Sequence, residues 1–412
     1  MGIFEIELKQ HSPMIHFQYD QEGACLRASD VKPRLDRFIR EKYSYPKDKK
    51  LNYRLEIAYG KRSESGDFIK ETPCRFKSTK NEPYFADIDK RQEEKEPKLI
   101  FSNDITITLR FNTFFDKDLE AKIRESINPF FAINNFGTRS NKGYGCFYPV
   151  NDIQSGQYFT MDNFEKELKK AIDKSAIYYW DSPKDQTNFY IKIFYSLLKS
   201  GINLPGNTRY PNDFIYIKPL LFYYFKKEGI SWDKKFVKEK FLSDAKSDPF
   251  TSNNPKFVRA LLGLASESNW WQYKEKLKMD KPVLLIENDE IDRIPSSLMF
   301  KVFNNGKFDR IYYFFNDIHE KVLNREFNFL FIKKDQIKEY KNKKNTELRL
   351  ALGKDKKPLK VPDEFSPNDF LVHIKDNIAG IEYHGELTRG NKLYENTNFV
   401  IEFFRSQKIE KL

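Results

Sequence analysis

The stretch ITITLRF, from Ile105 to Phe111, constrains the fold more than any other part of the chain. Its apolar residues occupy every second position, and Thr106, Thr108 and Arg110 stand between them. Successive side chains of a strand point to opposite faces of a sheet, so this alternation predicts a strand with one buried face. Such a strand needs neighbouring strands and a layer that covers its apolar side.

Other strands are indicated on both sides of this one. Alternation also marks Ile3–Leu8 and Leu51–Tyr59, and a short apolar run marks Cys146–Val150. The polar, charged stretch from Gly60 to Lys98 predicts a long hairpin excursion with weak structure.

Two helices are expected between these strands. Helical spacing marks residues 29–43, where Ser29 or Asp30 is the predicted N-cap and Pro33 falls in the first turn, and it marks residues 116–131. The resulting order, β-α-β-β-α-β, predicts a four-stranded antiparallel sheet with both helices on one face. This is the ferredoxin-like or RRM-like fold, whose open sheet face and loops take RNA in RNA-binding versions.

The remaining sequence predicts an insert and a second domain. Helical patterns run from Met161 to about Leu242, with Asp162 as a possible cap, and alternating segments return from Ser297. A helix around Pro367 to Ile378 and a last strand at Thr397–Phe404 follow. We therefore expect an α+β protein with two ferredoxin-like domains, residues 1–150 and a degraded copy at 251–412, and a helical insert at 151–250 between them.

Charge and composition narrow the class of protein. The net charge is +12, and 16% of the residues are aromatic, which is too much apolar surface for a disordered chain. Such a charge often marks a polyanionic partner, although a Lys-rich and AT-biased proteome produces it too. The three cysteines form no CxxC pair, and no run approaches the ~20 apolar residues of a membrane span. We expect a soluble protein of the cytoplasm.

The stretch FGTRSNKGYG, from Phe136 to Gly145, is the strongest candidate site. Glycines let a backbone approach a ligand closely, successive N–H groups can bind an anion, and cations, hydroxyls and an aromatic ring add contacts to phosphate, 2′-OH and bases. It matches neither a Walker loop nor a dinucleotide motif, and a tight turn that simply needs glycines explains it equally well. The predicted RNA contacts are Gly137, Thr138, Arg139, Ser140, Asn141, Lys142, Gly143, Tyr144 and Gly145.

Basic residues form two further candidate surfaces. The first helix carries Arg27, Ser29, Lys32, Arg34 and Arg37, which make either a second RNA-binding patch or an ordinary solvated helix face. Lys338–Lys360 is a basic stretch that predicts a solvated loop or a phosphate-binding arm.

Catalytic motifs are scarce. The histidines lack HxH, HExxH or HD spacing, and there is no GxSxG, so we predict neither a metal nor a cofactor. His11 and His16 flank the end of the first strand, where a general base could reach RNA.

These motifs together resemble the RAMP superfamily of CRISPR-associated proteins. The glycine loop is similar to that family's G-x-R-x-x-x-G-x-G-type loop, and HSPMIH…GACLRASDVKPRLDRFIRE, from His11, is similar to its opening segment. RALLGLASESNWW and DRIPSSLMFKVF are similar to segments of the first subunit of the type III-B Cmr complex. The chain departs from the family pattern at Pro33 and Phe136, where glycines are usual, and it lacks a Pro after the second serine of PSS.

The resemblance implies a non-catalytic RNA-binding subunit of a type III CRISPR ribonucleoprotein. Such a subunit would contact the 3′ region of CRISPR RNA, target RNA and neighbouring RAMP subunits in antiviral defence. Two alternatives stay open: a metal-independent endoribonuclease of the same superfamily that processes CRISPR RNA, and a protein-interaction scaffold whose charge is incidental.

Overall fold

The computed structural model describes most of the chain. The described residues are 2–16, 25–62, 68–71, 74–77, 98–101, 106–153, 155–172, 175–207, 210–242, 254–270, 275, 277–291, 293–316, 322–341, 355–382, 385, 388 and 401–412.

Strands are distributed along the whole length of the described chain. They are β1 (Ile3–Gln10), β2 (Arg54–Arg62), β3 (Phe68–Lys70), β4 (Cys74–Lys77), β5 (Lys98–Phe101), β6 (Thr106–Asn112), β7 (Phe147–Pro149), β8 (Tyr178–Ser182), β9 (Ile202–Asn207), β10 (Tyr210–Ile217), β11 (Ser231–Trp232), β12 (Pro255–Lys256), β13 (Glu267–Asn269), β14 (Pro282–Glu287), β15 (Leu298–Asn304), β16 (Asp309–Phe315), β17 (Glu326–Lys333), β18 (Lys357–Lys360) and β19 (Glu410–Lys411).

Helices separate many of these strands. They are α1 (Ala28–Lys42), α2 (Lys117–Ile133), α3 (Met161–Ala171), α4 (Thr187–Lys199), α5 (Leu220–Lys227), α6 (Asp233–Phe241), α7 (Ile337–Lys341) and α8 (Pro367–Asn377). Among the described residues, no helix has both the length and the apolar character that crossing a bilayer requires.

The chain forms two compact units. The first contains Met1–Ile193, Met299–Phe314 and Gln407–Leu412, and the second contains Phe194–Leu298 and Phe315–Ser406. The architecture is α+β, with several antiparallel sheets. The expected division at residues 150 and 250 stays a prediction.

The main sheet of the first unit has the spatial order β3-β2-β6-β1-β7. The predicted β-α-β-β-α-β order is confirmed as β1, α1, β2, β6, α2 and β7, and the pairs within the sheet are antiparallel. The sheet has five strands rather than the predicted four, because β3 from the excursion after β2 adds to its edge. As the alternation predicted, Ile107, Leu109 and Phe111 of β6 are fully buried, whereas Arg110 pairs with Glu5 of β1 on the other face. The core of this unit also contains fully buried apolar side chains from α1 and α2.

Part of the predicted excursion between β2 and β6 is described. It contains β3 and the antiparallel pair β4–β5, so short strands occupy some of the stretch from Gly60 to Lys98. Residues 63–67, 72–73 and 78–97 of this prediction lie outside the described residues.

The start of α1 differs from the prediction. The helix begins at Ala28 with Arg27 at the N-cap position, and neither Ser29 nor Asp30 caps it. The Asp30 carboxylate is instead engaged by the Arg27 guanidinium, whose Nε lies 3.2 Å from it. Pro33 consequently lies beyond the first turn, where it removes one intrahelical hydrogen bond.

A second sheet in the first unit has the order β15-β16-β8-β19. The predicted strands at LMFKVF and RIYYFF are confirmed as β15 and β16. Arg310 of β16 is opposite Asp181 of β8 and donates two hydrogen bonds to its carboxylate, at 2.7 and 2.9 Å. The Trp180 and Tyr313 side chains are buried in this sheet, with their ring centres 5.5 Å apart.

The second unit is built on the antiparallel sheet β13-β14-β17-β18, and the predicted strand at FNFLFI is β17. The pairs β9–β10 and β11–β12 are separate from that sheet. Elsewhere in this unit the buried Asp233 carboxylate pairs with the Arg259 guanidinium, whose Nε lies 2.5 Å from Asp233 Oδ2. The predicted helix near Pro367 is confirmed as α8.

Two predictions of secondary structure in the later chain were wrong. Phe214–Ile217, expected within a helix, belongs to β10, because Ile215 and Ile217 alternate into the core and Pro219 disfavours a helix before it. Of the expected last strand, residues 397–400 lie outside the described residues and 401–404 are helical, with Ile401 and Phe404 buried at helical spacing.

The N-terminus of α3 offers a test of local stability. The predicted cap Asp162 is wrong: Thr160 caps the helix, and its hydroxyl accepts from Asn163 N at 3.3 Å while Asn163 Oδ1 accepts from Thr160 N at 2.9 Å. We expect Thr160→Ala to lower the free energy of unfolding by about 1 kcal/mol, because alanine lacks the hydroxyl that accepts from Asn163 N. Urea unfolding measures this, and Thr160→Ser, which keeps the hydroxyl, should lose much less.

Candidate nucleic-acid interface

The glycine loop, Phe136–Gly145, connects α2 to β7 and closes on itself. Phe136 N donates to Gly145 O at 2.9 Å. Gly137 and Gly145 have φ values of +85° and +69°, and an added Cβ would lie 2.4 Å from Ile15 O and 1.9 Å from Phe136 O, respectively. These two glycines are therefore required by the loop's own packing, whether or not a ligand is bound.

The segment after β1 holds one side of the loop. Thr138 N donates to Ile15 O at 2.7 Å, and Gly145 N donates to Pro13 O at 2.8 Å. Lys142 N and Gly143 N donate to Arg139 O and Ser140 O within the loop. These N–H groups already have acceptors within the protein. Fewer backbone N–H groups are therefore left to bind an anion than the glycines predicted.

Strand β15 holds the other side. Lys142 forms a parallel bridge with Phe300, and Phe300 N donates to Asn141 O at 3.2 Å. The Lys142 ammonium nitrogen is itself buried, and Tyr144 is only 2% exposed. Lys142 and Tyr144 therefore point into the protein rather than towards a surface where RNA could lie.

Thr138 to Asn141 form the accessible tip of the loop. Thr138 is exposed, and the three residues after it are half-buried. Arg139 has a φ of +54°, a left-handed conformation that residues other than glycine seldom adopt. Strained backbone of this kind is concentrated at functional sites.

A buried lysine supports the loop from below. Lys301 of β15 is fully buried, and its ammonium donates to Phe131 O, Asn134 O and Asn135 Oδ1 at 2.9, 2.8 and 2.6 Å. It therefore satisfies carbonyls at the C-terminal end of α2, where a cation also complements the helix dipole. Asn135 Nδ2 in turn donates to Ser140 O at 2.7 Å and to Phe300 O at 2.9 Å. These two hydrogen bonds hold the tip of the loop in place against β15.

Helix α1 contributes cations beside the same loop. Arg34 Nη1 donates to Asn135 O at 2.7 Å, and its guanidinium lies 5.3 Å from the Phe136 ring centre. Burial lowers the pKa of Arg34, yet a guanidinium stays charged at neutral pH. Arg37 is exposed one turn further along the helix.

The other predicted residues of α1 are arranged differently. Arg27 pairs with Asp30, and the Lys32 ammonium pairs with Asp36 at 2.9 Å and lies 3.8 Å from the Tyr53 ring centre. Ser29 is exposed. Half of the predicted cationic patch is thus already neutralised by neighbouring carboxylates.

We call the accessible part of this site the loop–helix surface. It is defined by Thr138, Arg139, Ser140, Asn141, Arg34 and Arg37. It offers guanidinium groups, a hydroxyl-bearing tip and a fixed backbone, which can hold phosphate or ribose oxygens by charge and hydrogen bonds.

Both histidines considered as general bases lie inside the protein. His11 is 5% exposed, its Nδ1 accepts from Asn304 N at 3.0 Å, and burial holds its pKa well below the ordinary 6.5, helped by the charges of Lys9 and Lys301. His16 is 1% exposed, with Nε2 4.0 Å from Asp30 Oδ2. Within the described ranges, no group of His, Cys, Asp or Glu residues could hold a metal ion.

Sequence reasoning missed Asn135 and Lys301. Asn135 precedes the quoted glycine motif by one residue, and Lys301 lies more than 150 residues further along the chain. Lys301 did leave a signal, because it is the lone cation within the apolar strand LMFKVF. The basic stretch at Lys338–Lys360 is described only at its ends, in α7 and β18, and residues 342–354 of it lie outside the described residues.

Comparisons with known proteins agree on one family. The family model of the Cmr1 N-terminal domain matches residues 1–202, and that of the Cmr1 C-terminal domain matches residues 216–392. A search of curated proteins found no match.

Solved structures give more distant similarities. The chain is similar to the crystal structure of Cmr1 from Pyrococcus furiosus in its apo form, with 12% identity, a TM-score of 0.39 and coverage of 77% of this chain and 90% of that one. It is also similar to a chain of the type III-B Cmr-beta complex bound to cognate target RNA and AMPPnP, with 10% identity, a TM-score of 0.35 and coverage of 76% and 93%.

Two glycines have nearly equal φ values but different surroundings. Substituting each of them therefore distinguishes the free-energy cost of a left-handed backbone from the cost of steric overlap. Gly145 and Gly156 have φ values of +69° and +70°, but a Cβ on Gly156 would meet nothing within 4 Å. We expect Gly156→Ala to cost about 1 kcal/mol of unfolding free energy and Gly145→Ala roughly 3 kcal/mol or more, because only the latter forces Phe136 O aside. Equal losses in urea unfolding would contradict this packing of the loop.

Lys301 predicts a pH dependence of stability. Burial lowers the pKa of Lys301 to about 8 from the ordinary 10.5. Between these values the unfolded chain keeps a proton that the folded chain has lost, so Lys301 makes the free energy of unfolding rise with pH across this window. In Lys301→Met the contribution of Lys301 to this rise should be absent, and stability at pH 7 should fall by about 1–3 kcal/mol, since Phe131 O and Asn134 O lose the ammonium donor while Asn135 Oδ1 still accepts from Cys146 Sγ. Urea unfolding of both proteins from pH 7 to 10 tests this; parallel pH profiles would refute it.

Proposed function

The chain belongs to the Cmr1 family, and from this membership we propose that it is a non-catalytic RNA-binding subunit of a type III-B CRISPR ribonucleoprotein. In this role it contacts the 3′ region of CRISPR RNA and the target RNA during antiviral defence in the cytoplasm. Its other partners are the neighbouring RAMP subunits of the same Cmr complex.

We also propose the finer description of the fold. The strand order β7-β1-β6-β2 with α1 and α2 supports a ferredoxin-like domain at residues 1–150. A helical insert at 151–250 and a second, degraded ferredoxin-like domain at 251–412 complete this proposal.

One observation carries the assignment of the site. The hydrogen bond from Arg34 to Asn135 O joins α1 to the base of the glycine loop. Because of this contact, the cations of the helix and the tip of the loop form one loop–helix surface rather than two separate basic patches. A basic surface is what a nucleic-acid backbone requires, and it agrees with the net charge of +12.

The proposed mechanism is recognition of phosphate and shape. Arg37 and Arg139 neutralise phosphates, while Thr138, Ser140 and Asn141 bond to phosphate or ribose oxygens. The rigid attachment of the loop on both sides means that little conformational freedom is lost when RNA binds. Sequence selection would then come from base pairing between the two RNA strands and not from this surface.

The non-catalytic role is supported by the position of the histidines. A general base must come within hydrogen-bonding reach of the proton that it removes, and both His11 and His16 are buried. Incubation of the pure protein with repeat RNA in the absence of metal tests this directly. Specific cleavage that His16→Ala abolishes would overturn the proposal in favour of a processing endoribonuclease.

Removing the guanidinium groups of Arg37 and Arg139 should weaken RNA binding, and Arg34 is kept because it holds the base of the glycine loop through Asn135 O. We expect Arg37→Ala/Arg139→Ala to lower affinity for every RNA sequence and to flatten the plot of log K against log salt by about 0.7 per lost phosphate contact. Lys142 is left intact, since its ammonium is buried and its removal would also disturb folding. Affinities at several salt concentrations, with a melting curve for each variant, measure this.

Arg54→Ala is the matched control. Arg54 is 72% exposed and lies on β2 opposite Asn112, away from the glycine loop, so its loss should leave both affinity and salt slope unchanged. If the double variant binds RNA as the wild type does, the glycine loop is only a turn and the assignment of the site fails. Absence of RNA binding by the wild type, alone or in the assembled complex, would favour the protein-interaction scaffold instead.

A further inference from the structure

The turn between β6 and α2 carries two exposed aromatic rings. Phe114 is 52% exposed and Phe115 is 74% exposed, whereas most other large apolar side chains in the described part of the chain are buried. Ile3, which pairs with Asn112 in the sheet, is 45% exposed beside them. We call residues 112–116 the Phe tip.

The backbone of the Phe tip is strained. Phe114 and Phe115 have φ values of +49° and +70°, so two consecutive bulky residues occupy the left-handed region. This conformation is unfavourable for residues other than glycine, asparagine and aspartate. A glycine or asparagine would relieve the strain at no loss to the core, so the folded protein alone gives no reason for two phenylalanines here.

The strained conformation is fixed by hydrogen bonds. Thr113 N donates to Gly2 O at 2.9 Å, Asp116 N donates to Thr113 O at 3.0 Å, and Phe114 N donates to Asn112 Oδ1 at 3.0 Å. Thr113 itself is 1% exposed. The rings are thus presented on a rigid base, and a partner would lose little entropy in binding them.

The charges around the Phe tip favour a protein over RNA. Lys122 pairs with Asp118, Arg124 pairs with Glu120, and Arg110 pairs with Glu5. Lys117 stands between Asp116 and Asp118 in the sequence. Because Arg110, Lys122 and Arg124 are already paired with carboxylates, they offer phosphates less positive charge, whereas aromatic anchors are typical of protein–protein contacts.

The Phe tip also lies at the opposite end of the main sheet from the glycine loop. Strand β1 begins at Ile3, which is level with Asn112, and it ends at Gln10, just before the segment that holds the loop. Eight strand residues span roughly 26 Å, which keeps a partner at the tip clear of RNA at the loop–helix surface.

We propose that the Phe tip is a preformed apolar knob that inserts into an apolar pocket of a neighbouring protein subunit. This inference rests on the proposed membership of a multi-subunit complex, but it does not depend on how RNA is bound. Phe115 is the central anchor, and Phe114 and Ile3 extend the apolar contact.

The test replaces the rings without changing the backbone. Asparagine tolerates the left-handed region, so Phe114→Asn/Phe115→Asn removes both rings and relieves strain. We expect its affinity for the other subunits of its own complex to fall about tenfold or more, with an unchanged or higher melting temperature and unchanged RNA affinity of the isolated chain. Tyr158→Ala, which removes a ring that is 57% exposed elsewhere in the same unit, is the matched control and should assemble normally.

Four outcomes with a folded double variant overturn the proposal. Normal assembly of the double variant shows that the rings are not an anchor, and loss of RNA binding with normal assembly makes the tip an RNA contact. A wild-type dimer that the double variant dissociates makes the occupant a second copy of the chain. A wild type that binds RNA but joins no other subunit refutes the docking while leaving the RNA-binding role intact. Should the double variant unfold, Phe115→Asn alone is measured against the same outcomes.

Discussion

The site depends on one buried charge. The Lys301 ammonium lies where water cannot reach it, and a charge in such a place is tolerated only when hydrogen bonds replace its hydration. Its three acceptors all belong to the last turn of α2 and the residues directly after it. The need to hydrogen-bond this ammonium therefore fixes where α2 ends. Asn135, which also donates to Ser140 O, connects that end of the helix to the glycine loop.

The glycine loop then divides its residues between two tasks. The glycines close the loop against Phe136 and Ile15, and Lys142 to Gly145 continue inward to β7. Only the four residues from Thr138 to Asn141 project outwards. A glycine-rich motif is often interpreted as if each glycine faced the ligand. Here the glycines allow the loop to pack against its neighbours, and the residues between them contribute to the loop–helix surface. A structural turn and the proposed binding loop can therefore be the same ten residues.

The sequence predicted the parts of the fold whose side chains repeat with a clear period. The strands around Ile107 and Tyr313 and the helix around Ile123 were found because their apolar residues recur every second position or at helical spacing. The prediction failed where one pattern fits two structures: FIYI before Pro219 and FVIEFF near the C-terminus are dense in apolar residues and show neither period clearly. It also failed at the start of α1, because an N-cap is decided by one side chain and Asp30 bonds to Arg27 instead.

The candidate site was predictable only in its local part. The tip residues and Arg34 belong to motifs that can be read along the chain. The burial of Lys142 against β15 and the support from Lys301 arise from contacts between residues more than 150 positions apart, for which the sequence carries no period. For the same reason, the cations of α1 could be counted but not sorted into those that pair with carboxylates and those that face solvent.

The first unit places two different chemistries at the two ends of one sheet. The glycine loop, with its polar tip and the guanidinium groups beside it, lies at the end of β1 and the start of β7. The apolar rings of the Phe tip lie at the start of β1 and the end of β6, where the neighbouring charges are paired. Both ends hold non-glycine residues at positive φ, Arg139 at one and the two phenylalanines at the other. Backbone strain persists only where the surroundings enforce it, and here strand β6, whose Ile107, Leu109 and Phe111 are fully buried, and the Lys301 contact supply that enforcement. Under the two proposals made above, a sheet with these tips at its two ends would hold RNA and a protein partner at a fixed separation.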